Sequence, residues 1–404
     1  MKNIFYFLTS ILLLNSCKEA ERVVHKIEFE TTYKFSFDIE DKIAKDTVPW
    51  KYQISAADYA TKGDYKNALL QWDLAMGGRE RNFSEAQIDS INNTYHRVKA
   101  ADYIIEKAKE HQVVIINEAH HNSFHRVFTK SVLKNLFELG YTNLGLEALG
   151  NGAYLDSTLN SRKYPVQKTG HYTKDPQFGD LIREALEIGY HLFAYENTGN
   201  LNGKPREIEQ AKNIERFIKS RPDEKFIIHC GFDHALEGTH QGWEKAMAGR
   251  LKEYTGINPL TINQTLYSEK GNPDLNHPFL KALQIKESTV LLDKNNYPLK
   301  YERGEAYTDI AVFHPVTQYQ NNRPNWLYRQ GNEHVSISLD DIQAEFPLLV
   351  LAFKKGEDIH QAVPVDITEV STTGEKCHLG LKKGAYQIVV TNRKESYTFE
   401  QEVK

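Results

Sequence analysis

The sequence is poor in sulfur: 404 residues include only three cysteines and three methionines. Cys230 and Cys377 fall in segments that we predict to be separate domains, so we expect free thiols and a fold without disulfide bridges. An excess of basic residues is also missing. A net charge of −4 provides no basic face, so nucleic acid is not an expected partner.

Long apolar runs are scarce as well, and the most apolar one lies at the N-terminus. Lys2 precedes the run from Ile4 to Leu14, which is long enough for a signal-peptide core. It is too short to span a bilayer, for which about 20 residues are needed. The next residues, Leu14-Asn15-Ser16-Cys17, resemble the lipobox of bacterial lipoproteins, although Asn15 is larger than the usual residue.

This resemblance implies a signal peptide over residues 1–16, lipidation of Cys17 and a polar tether over residues 17–47. The membrane would then be a partner through the lipid on Cys17. We expect an outer-membrane lipoprotein of the cell envelope, on either the periplasmic or the surface face. An uncleaved membrane anchor and a plain secretory signal are the alternatives.

Helical periodicity dominates residues 48–110. Apolar residues recur at helical spacing on both sides of Gly63-Asp64, which predicts two helices similar to one tetratricopeptide-type pair. A third helix is predicted from about Ser84 to Lys109. A single pair cannot bury its own apolar face, so we expect it to pack on the next domain.

Short apolar runs alternate with amphipathic stretches over residues 111–284. This alternation predicts an α/β fold, in which right-handed crossovers build a parallel sheet flanked by helices. Residues 285–404 instead contain short, β-branched strands separated by turns, which predicts a C-terminal antiparallel β-sandwich-like module. We expect that module to be an accessory domain without chemistry.

Carboxylates and imidazoles stand at the ends of four predicted strands. In strand order they are Glu118, His120, His121 and His125; Glu147; Glu196; and His229 and His234. Ligands of open α/β sheets bind beyond the carboxyl ends of the strands. One such residue is commonly a helix cap or a satisfied core residue. Several carboxylates in one pocket, however, repel unless a cation or proton relieves them, so the sequence predicts a functional site here.

The same residues carry a family resemblance. Residues 113–149 resemble the opening of the superfamily that joins erythromycin esterases, ChaN-type haem-uptake lipoproteins and Tiki/TraB metalloproteases. Glu118, His120 and Glu147 match by position, whereas Asn117 replaces the usual glycine. The later Gly231-Phe232-Asp233-His234 matches a Gly-x-x-His turn. The resemblance covers about residues 100–270 and implies the parallel sheet of that superfamily.

The resemblance implies a hydrolase that cleaves an ester or amide with activated water, by one of two mechanisms. In the first, one divalent ion, zinc or manganese, is bound by four residues: Glu118, His120, Glu147 and His234. The ligands are then oriented, or protons transferred, by His125, Glu196 or His229. In the second, His120 or His125 is the general base, and the carboxylates of Glu118, Glu147 and Glu196 orient it without a metal.

Two other functions are alternatives to hydrolysis. ChaN-type lipoproteins are known for holding haem rather than for turnover. The 22 tyrosines and 16 histidines of this chain offer axial ligands, but a Cys-x-x-Cys-His attachment motif is missing. The third alternative is a scaffold in which the carboxylates and imidazoles only hydrogen-bond one another.

Candidate contacts to a small-molecule or peptide substrate lie mainly in two further segments. Residues 151–177 form a long insertion placed to cover the pocket mouth, with contacts expected from Tyr154, Arg162 and His171. Residues 307–326 either return to the pocket, with His314 and Arg323 facing the substrate, or pack two domains together. His121 is a further candidate contact.

Overall fold

The computed structural model describes residues 26–404. The predicted signal peptide, Cys17 and the first part of the predicted tether lie outside the described residues. None of the helices in residues 26–404 combines the length and hydropathy needed for a bilayer span.

The helices of the described chain are α1 (Ser36–Lys45), α2 (Lys51–Thr61), α3 (Tyr65–Met76), α4 (Glu85–Thr94), α5 (Ala100–Ala108), α6 (Phe124–Glu138), α7 (Leu159–Arg162), α8 (Pro176–Ile188), α9 (Lys204–Lys219), α10 (Met247–Thr255) and α11 (Pro278–Leu283). The strands are β1 (His96–Lys99), β2 (Val113–Glu118), β3 (Tyr141–Leu146), β4 (His191–Ala194), β5 (Lys225–Gly231), β6 (Glu237–Gly238), β7 (Leu260–Asn263), β8 (Thr289–Leu292), β9 (Tyr301–Arg303), β10 (Ala306–Thr308), β11 (Ile310–Phe313), β12 (Tyr319–Gln320), β13 (Arg323–Pro324), β14 (Glu333–Ile337), β15 (Leu348–Lys354), β16 (Asp366–Val370), β17 (Cys377–Leu381), β18 (Gly384–Thr391) and β19 (Ser396–Val403).

A large, mostly parallel sheet forms the centre of the protein, which confirms the α/β class. Its order is β1-β8-β11-β7-β2-β5-β3-β4, and only β8 pairs antiparallel with its two neighbours. The apolar run of β2 is fully buried. Its alternate side chains enter two cores: Val114 and Ile116 face α5, α6 and α8, whereas Val113 and Ile115 face α9 and α10. This period-two division explains why β2 is apolar on both faces.

The structure corrects the helix predicted from Ser84 to Lys109. Helix α4 begins where expected, because Ser84 and Gln87 form a capping box. It ends at Thr94, and β1 then pairs antiparallel with β8. The pairing completes one edge of the central sheet, so a long-range contact overrides local helical propensity.

The structure also corrects the tether predicted over residues 17–47, as far as the chain is described. Tyr33 and Phe35 are only 6% and 1% exposed, and they pack on the four-stranded C-terminal sheet with Phe353. Helix α1 follows and buries Ile39. These side chains bury enough apolar surface to hold residues 27–45 against the C-terminal module.

The domain boundary predicted at residue 285 is displaced, because β8 and β11 belong to the central sheet. Val290 and Val312 contribute to the same core as β2. The C-terminal module therefore starts near β14. There, the antiparallel sheet β16-β15-β18-β19 and the pair β14-β17 enclose one apolar cluster, in the face-to-face arrangement expected of a sandwich-like module.

Candidate functional site

The candidate residues come together because their strands are neighbours in the sheet. Strand β5 lies between β2 and β3, and Glu118 is directly opposite Gly231 in the β2–β5 register. Glu147 follows β3, and Glu196 follows the adjacent β4. Parallel strands thus bring these carboxylates to one edge of the sheet, as the sequence predicted.

Glu118 is buried and neutralised by an arginine. Its side chain is 2% exposed, and both oxygens accept hydrogen bonds at 2.7 Å from Nε and Nη2 of Arg126. Arg126 also pairs with Asp175 at 2.6 Å. Burial alone would raise the pKa of Glu118, but Arg126 and His120 hold it well below its usual value. Glu118 is therefore a carboxylate whose charge the protein itself compensates.

His120 is oriented by that carboxylate. Its Nδ1 lies 3.0 Å from Oε1 of Glu118. A carboxylate only accepts hydrogen bonds, so Nδ1 carries the proton and Nε2 keeps a free lone pair. The ring stacks on Tyr172, with centroids 3.9 Å apart, and its side chain is 19% exposed. A Cβ at position 231 would lie 2.5 Å from Nε2, so Gly231 leaves the space that the ring occupies.

A second arginine compensates the remaining carboxylates. Arg206, at the start of α9, donates to both Glu147 and Glu196, and the other oxygen of Glu147 accepts from the backbone N–H of Gly231. Burial would raise the pKa of Glu147, but His234, His120 and Arg206 lower it overall. His234 completes this half of the site, with Nε2 3.3 Å from Oε1 of Glu147.

Two of the seven predicted catalytic residues occupy structural positions. His125 is fully buried; its Nδ1 accepts from the backbone N–H of Ala119 at 2.9 Å, and Nε2 lies 3.1 Å from Oγ of Ser268. His229 is 1% exposed, and its Nε2 lies 3.6 Å from Glu118. Burial lowers the pKa of both histidines. His125 therefore has no free nitrogen for a general base, and His229 packs behind Glu118.

A cleft of about 810 Å³ opens at this edge of the sheet. Four residues of the site line its walls: Glu147, Tyr172, Glu196 and Arg206. Two residues of the insertion, Tyr154 and His171, line it as well. The insertion over residues 151–177 thus borders the cleft, and two of its expected contacts, Tyr154 and His171, line it. A volume of this size fits a small molecule or a short peptide.

The other four predicted contacts lie away from this cleft. Arg162 pairs with Asp156 inside the insertion, and His121 stacks on Trp72 with ring centroids 4.1 Å apart.

Arg323 follows the second alternative for residues 307–326, packing between domains, whereas His314 is buried within the central α/β domain. His314 is buried between Gln264 and Ser288, at 2.9 and 2.8 Å. Arg323 is buried with Asp366 on β16 and donates to the backbone oxygen of Gly63. It joins the helical pair to the C-terminal sheet, so neither side chain faces the cleft.

The donor set does not fit a divalent cation. The oxygens of Glu118 and Glu147 that a metal would use are bonded to Arg126 and Arg206. Within residues 26–404, no three His, Cys, Asp or Glu side chains are grouped so as to hold a metal ion. Guanidinium groups thus supply the positive charge that the carboxylates need.

Sequence reasoning missed both arginines. Each lies in the first turn of a helix that follows a carboxylate-bearing strand, α6 after β2 and α9 after β4. Helix starts face the same edge of the sheet as strand ends. A cation in the first helical turn after an acidic strand end was therefore the available signal.

Comparisons with known proteins give only distant similarities. No protein-family model matches the chain, and no curated protein matches it. The type III effector HopBA1 is 13% identical, with a TM-score of 0.36 over 56% of this chain and 98% of its own. RRSP, a MARTX toxin effector domain from Vibrio vulnificus, is 17% identical, with a TM-score of 0.28 over 50% of this chain and 43% of its own. A structure described as bacterial protein toxins is 14% identical, with a TM-score of 0.29 over 51% and 46%.

Proposed function

We propose that this protein is a metal-free hydrolase of an ester or amide in a small molecule or short peptide. The observation that carries the proposal is the Glu118–His120 pair. The buried carboxylate fixes the proton on Nδ1 of His120, which leaves the lone pair of Nε2 available to take a proton from water. The resemblance to the erythromycin esterase, ChaN and Tiki/TraB superfamily supports the same chemistry.

The other residues of the site have separate roles in this mechanism. Water attacks the carbonyl carbon while His120 takes its proton, and negative charge develops on the carbonyl oxygen. Arg206 is half-buried and lines the cleft, so its guanidinium is placed to stabilise that charge. Tyr172 holds the His120 ring by stacking. Arg126 keeps Glu118 ionised, so that His120 stays in the required tautomer.

The proposed setting is the cell envelope. With lipid on Cys17, the protein would be an outer-membrane lipoprotein. Thr31 lines the cleft and exchanges two hydrogen bonds with Gln167 of the insertion. Thr31 is fourteen positions after Cys17, and an extended chain spans about 3.5 Å per residue. The cleft would then work within about 50 Å of the membrane.

The test uses the full-length protein in detergent and a panel of carboxylic esters and short peptides. His120→Asn keeps an amide N–H near Glu118 but removes Nε2, so it should lower kcat/KM by about 10²-fold or more. His96→Asn is the matched control, because His96 is exposed on the edge strand β1. Equal activity in the two variants would contradict the proposal, as would haem binding without turnover by the unaltered protein.

A further inference from the structure

A second histidine–carboxylate pair lies on the other side of Glu147. Glu207, in the first turn of α9, is fully buried. Its two oxygens lie 2.8 and 2.9 Å from Nδ1 of His234, and one accepts from the backbone N–H of Met247 at 2.8 Å, at the start of α10. The Glu207 carboxylate thus belongs to α9 and is hydrogen-bonded to the start of α10. It holds the proton of His234 on Nδ1.

The ring of His234 is fixed as well. The indole of Trp243 stacks on it, with ring centroids 5.4 Å apart and an angle of 15° between the planes. Its side chain is 7% exposed, and Nε2 points to Glu147. A ring held by a carboxylate and a stacking partner presents Nε2 in one direction, toward a residue that lines the cleft.

Both protonation states of this Nε2 have a partner. When protonated, Nε2 can donate to Oε1 of Glu147 at 3.3 Å; when deprotonated, it can accept from Nη1 of Arg206 at 3.0 Å. The charged groups that face the ring are therefore two carboxylates, Glu147 and Glu207, and one guanidinium. Burial alone would lower the pKa of His234, but the two carboxylates raise it above its usual value. The proton can leave without stranding a buried polar atom.

We propose that His234 is the general acid of the hydrolysis proposed above, and that Glu207 is the positioning residue that holds it. The inference rests on the proposed function. Water transfers a proton to Nε2 of His120 as its oxygen bonds to the carbonyl carbon. The bond from that carbon to the leaving atom then breaks, the electron pair stays with the leaving atom, and Nε2 of His234 gives it a proton.

Glu147 lies between the two imidazoles and explains how the pair resets. Its Oε1 faces His234, and its Oε2 lies on the side of Gly231 where the His120 ring packs. After one turnover His120 carries the extra proton and His234 lacks one. Transfer along Glu147 from one ring to the other restores the starting state, so no further reagent is consumed.

The test compares esters of one acid with different leaving groups. A general acid matters most when the leaving group is a poor one, such as an alkoxide, and least for p-nitrophenolate, which leaves without a proton. In the unaltered protein, kcat should change little between the two esters. Glu207→Gln should lower kcat for the alkyl ester by about 10²-fold, with KM nearly unchanged, and alter the p-nitrophenyl ester by less than about threefold. Glu207→Asp, which keeps the carboxylate, should retain part of the rate.

Glu209→Gln is the matched control, since Glu209 lies on the same helix but belongs to no pair with His234. Nitrogen-15 NMR of the His234 ring gives a readout that needs no turnover: its titration should move to lower pH in Glu207→Gln and stay unchanged in the control. An equal loss of kcat for both esters, or an unchanged His234 titration, would overturn the inference. If the unaltered protein has no activity but the titration shifts, the proposed function fails, whereas the Glu207–His234 contact stands.

Discussion

Acidification should destabilise the protein through a buried histidine that sequence reasoning placed in catalysis. His125 is fully buried. Its Nδ1 accepts a hydrogen bond from the backbone N–H of Ala119, and its Nε2 is hydrogen-bonded to Oγ of Ser268. A proton on Nδ1 would face that N–H and break the bond. Burial, above all, lowers the pKa of His125 to about 3.

The sign and size of the effect follow from this pKa. In the unfolded chain, the pKa of His125 has the usual histidine value of about 6.5, whereas in the folded chain it is about 3. Folding therefore favours the neutral ring. The stabilising contribution is fully present above pH 6.5 and is lost as the pH falls from 6.5 toward 3. Each pH unit in that window costs about 1.4 kcal/mol. Lowering the pH to 4.5 should therefore remove about 3 kcal/mol from a typical total of about 5–15 kcal/mol.

Urea unfolding at pH 7.5, 6.5, 5.5 and 4.5 measures this contribution. Other buried histidines also have lowered pKa values, among them His121 and His314, so the comparison is made against His125→Gln, which cannot titrate. Between pH 6 and 4.5, the free energy of unfolding should fall more steeply for the unaltered protein than for His125→Gln, with a difference in slope of about 1.4 kcal/mol per pH unit. Parallel curves for the two proteins would refute the structural placement of His125.

Three further substitutions test other parts of the structure. Arg126→Met leaves Glu118 buried without its cation and should cost about 3–5 kcal/mol in urea unfolding; a loss below about 1 kcal/mol would contradict the pairing. Arg323→Met should cost a similar amount in the same measurement, because it leaves the carboxylate of Asp366 buried without its cation and removes the hydrogen bond to the backbone oxygen of Gly63; a loss below about 1 kcal/mol would contradict this pairing as well. Gly231→Ala puts a methyl group 2.3 Å from Cε1 of His120. Since the backbone φ of −85° suits alanine, turnover should fall by about 10²-fold while the thermal midpoint changes little, and full activity would contradict the placement of the ring.

Local patterns in the sequence were enough to predict the five parallel strands β2, β3, β4, β5 and β7 of the central sheet and the location of the candidate site. The run Val113–Ile116 is apolar at every position because both faces of β2 are covered, and such runs are recognisable without a structure. Since parallel strands end at one edge, Glu118 and Glu147 were expected at the same edge of the sheet. Both lie there, on either side of Gly231 at the end of β5. These features depend on nothing beyond a few neighbouring residues.

The errors concern features that depend on distant partners. Strand β1 exists because β8, nearly 200 residues later, offers it an edge. Residues 27–35 pack on a sheet formed by the C-terminal strands. Arg323 was a candidate substrate contact, but in the structure its guanidinium is bonded to Asp366 and to the backbone oxygen of Gly63. No local pattern encodes such pairings.

The sequence predicted that a positive charge neutralises the carboxylates of the site, but not that arginine side chains supply it. Crowded carboxylates required a cation, and a metal was one expectation from the family resemblance. Arg126 and Arg206 fill that role in the structure. Unlike a metal, an arginine does not bind and activate water, so the proposed mechanism assigns that step to a base, His120.

The rate of ester hydrolysis after exhaustive chelation, with the metal content of the same sample determined, tests the central claim most directly. A site neutralised by Arg126 and Arg206 should keep its full rate without bound metal, and zinc or manganese should not raise that rate. Loss of activity on chelation, with recovery at one equivalent of either ion, would contradict the account.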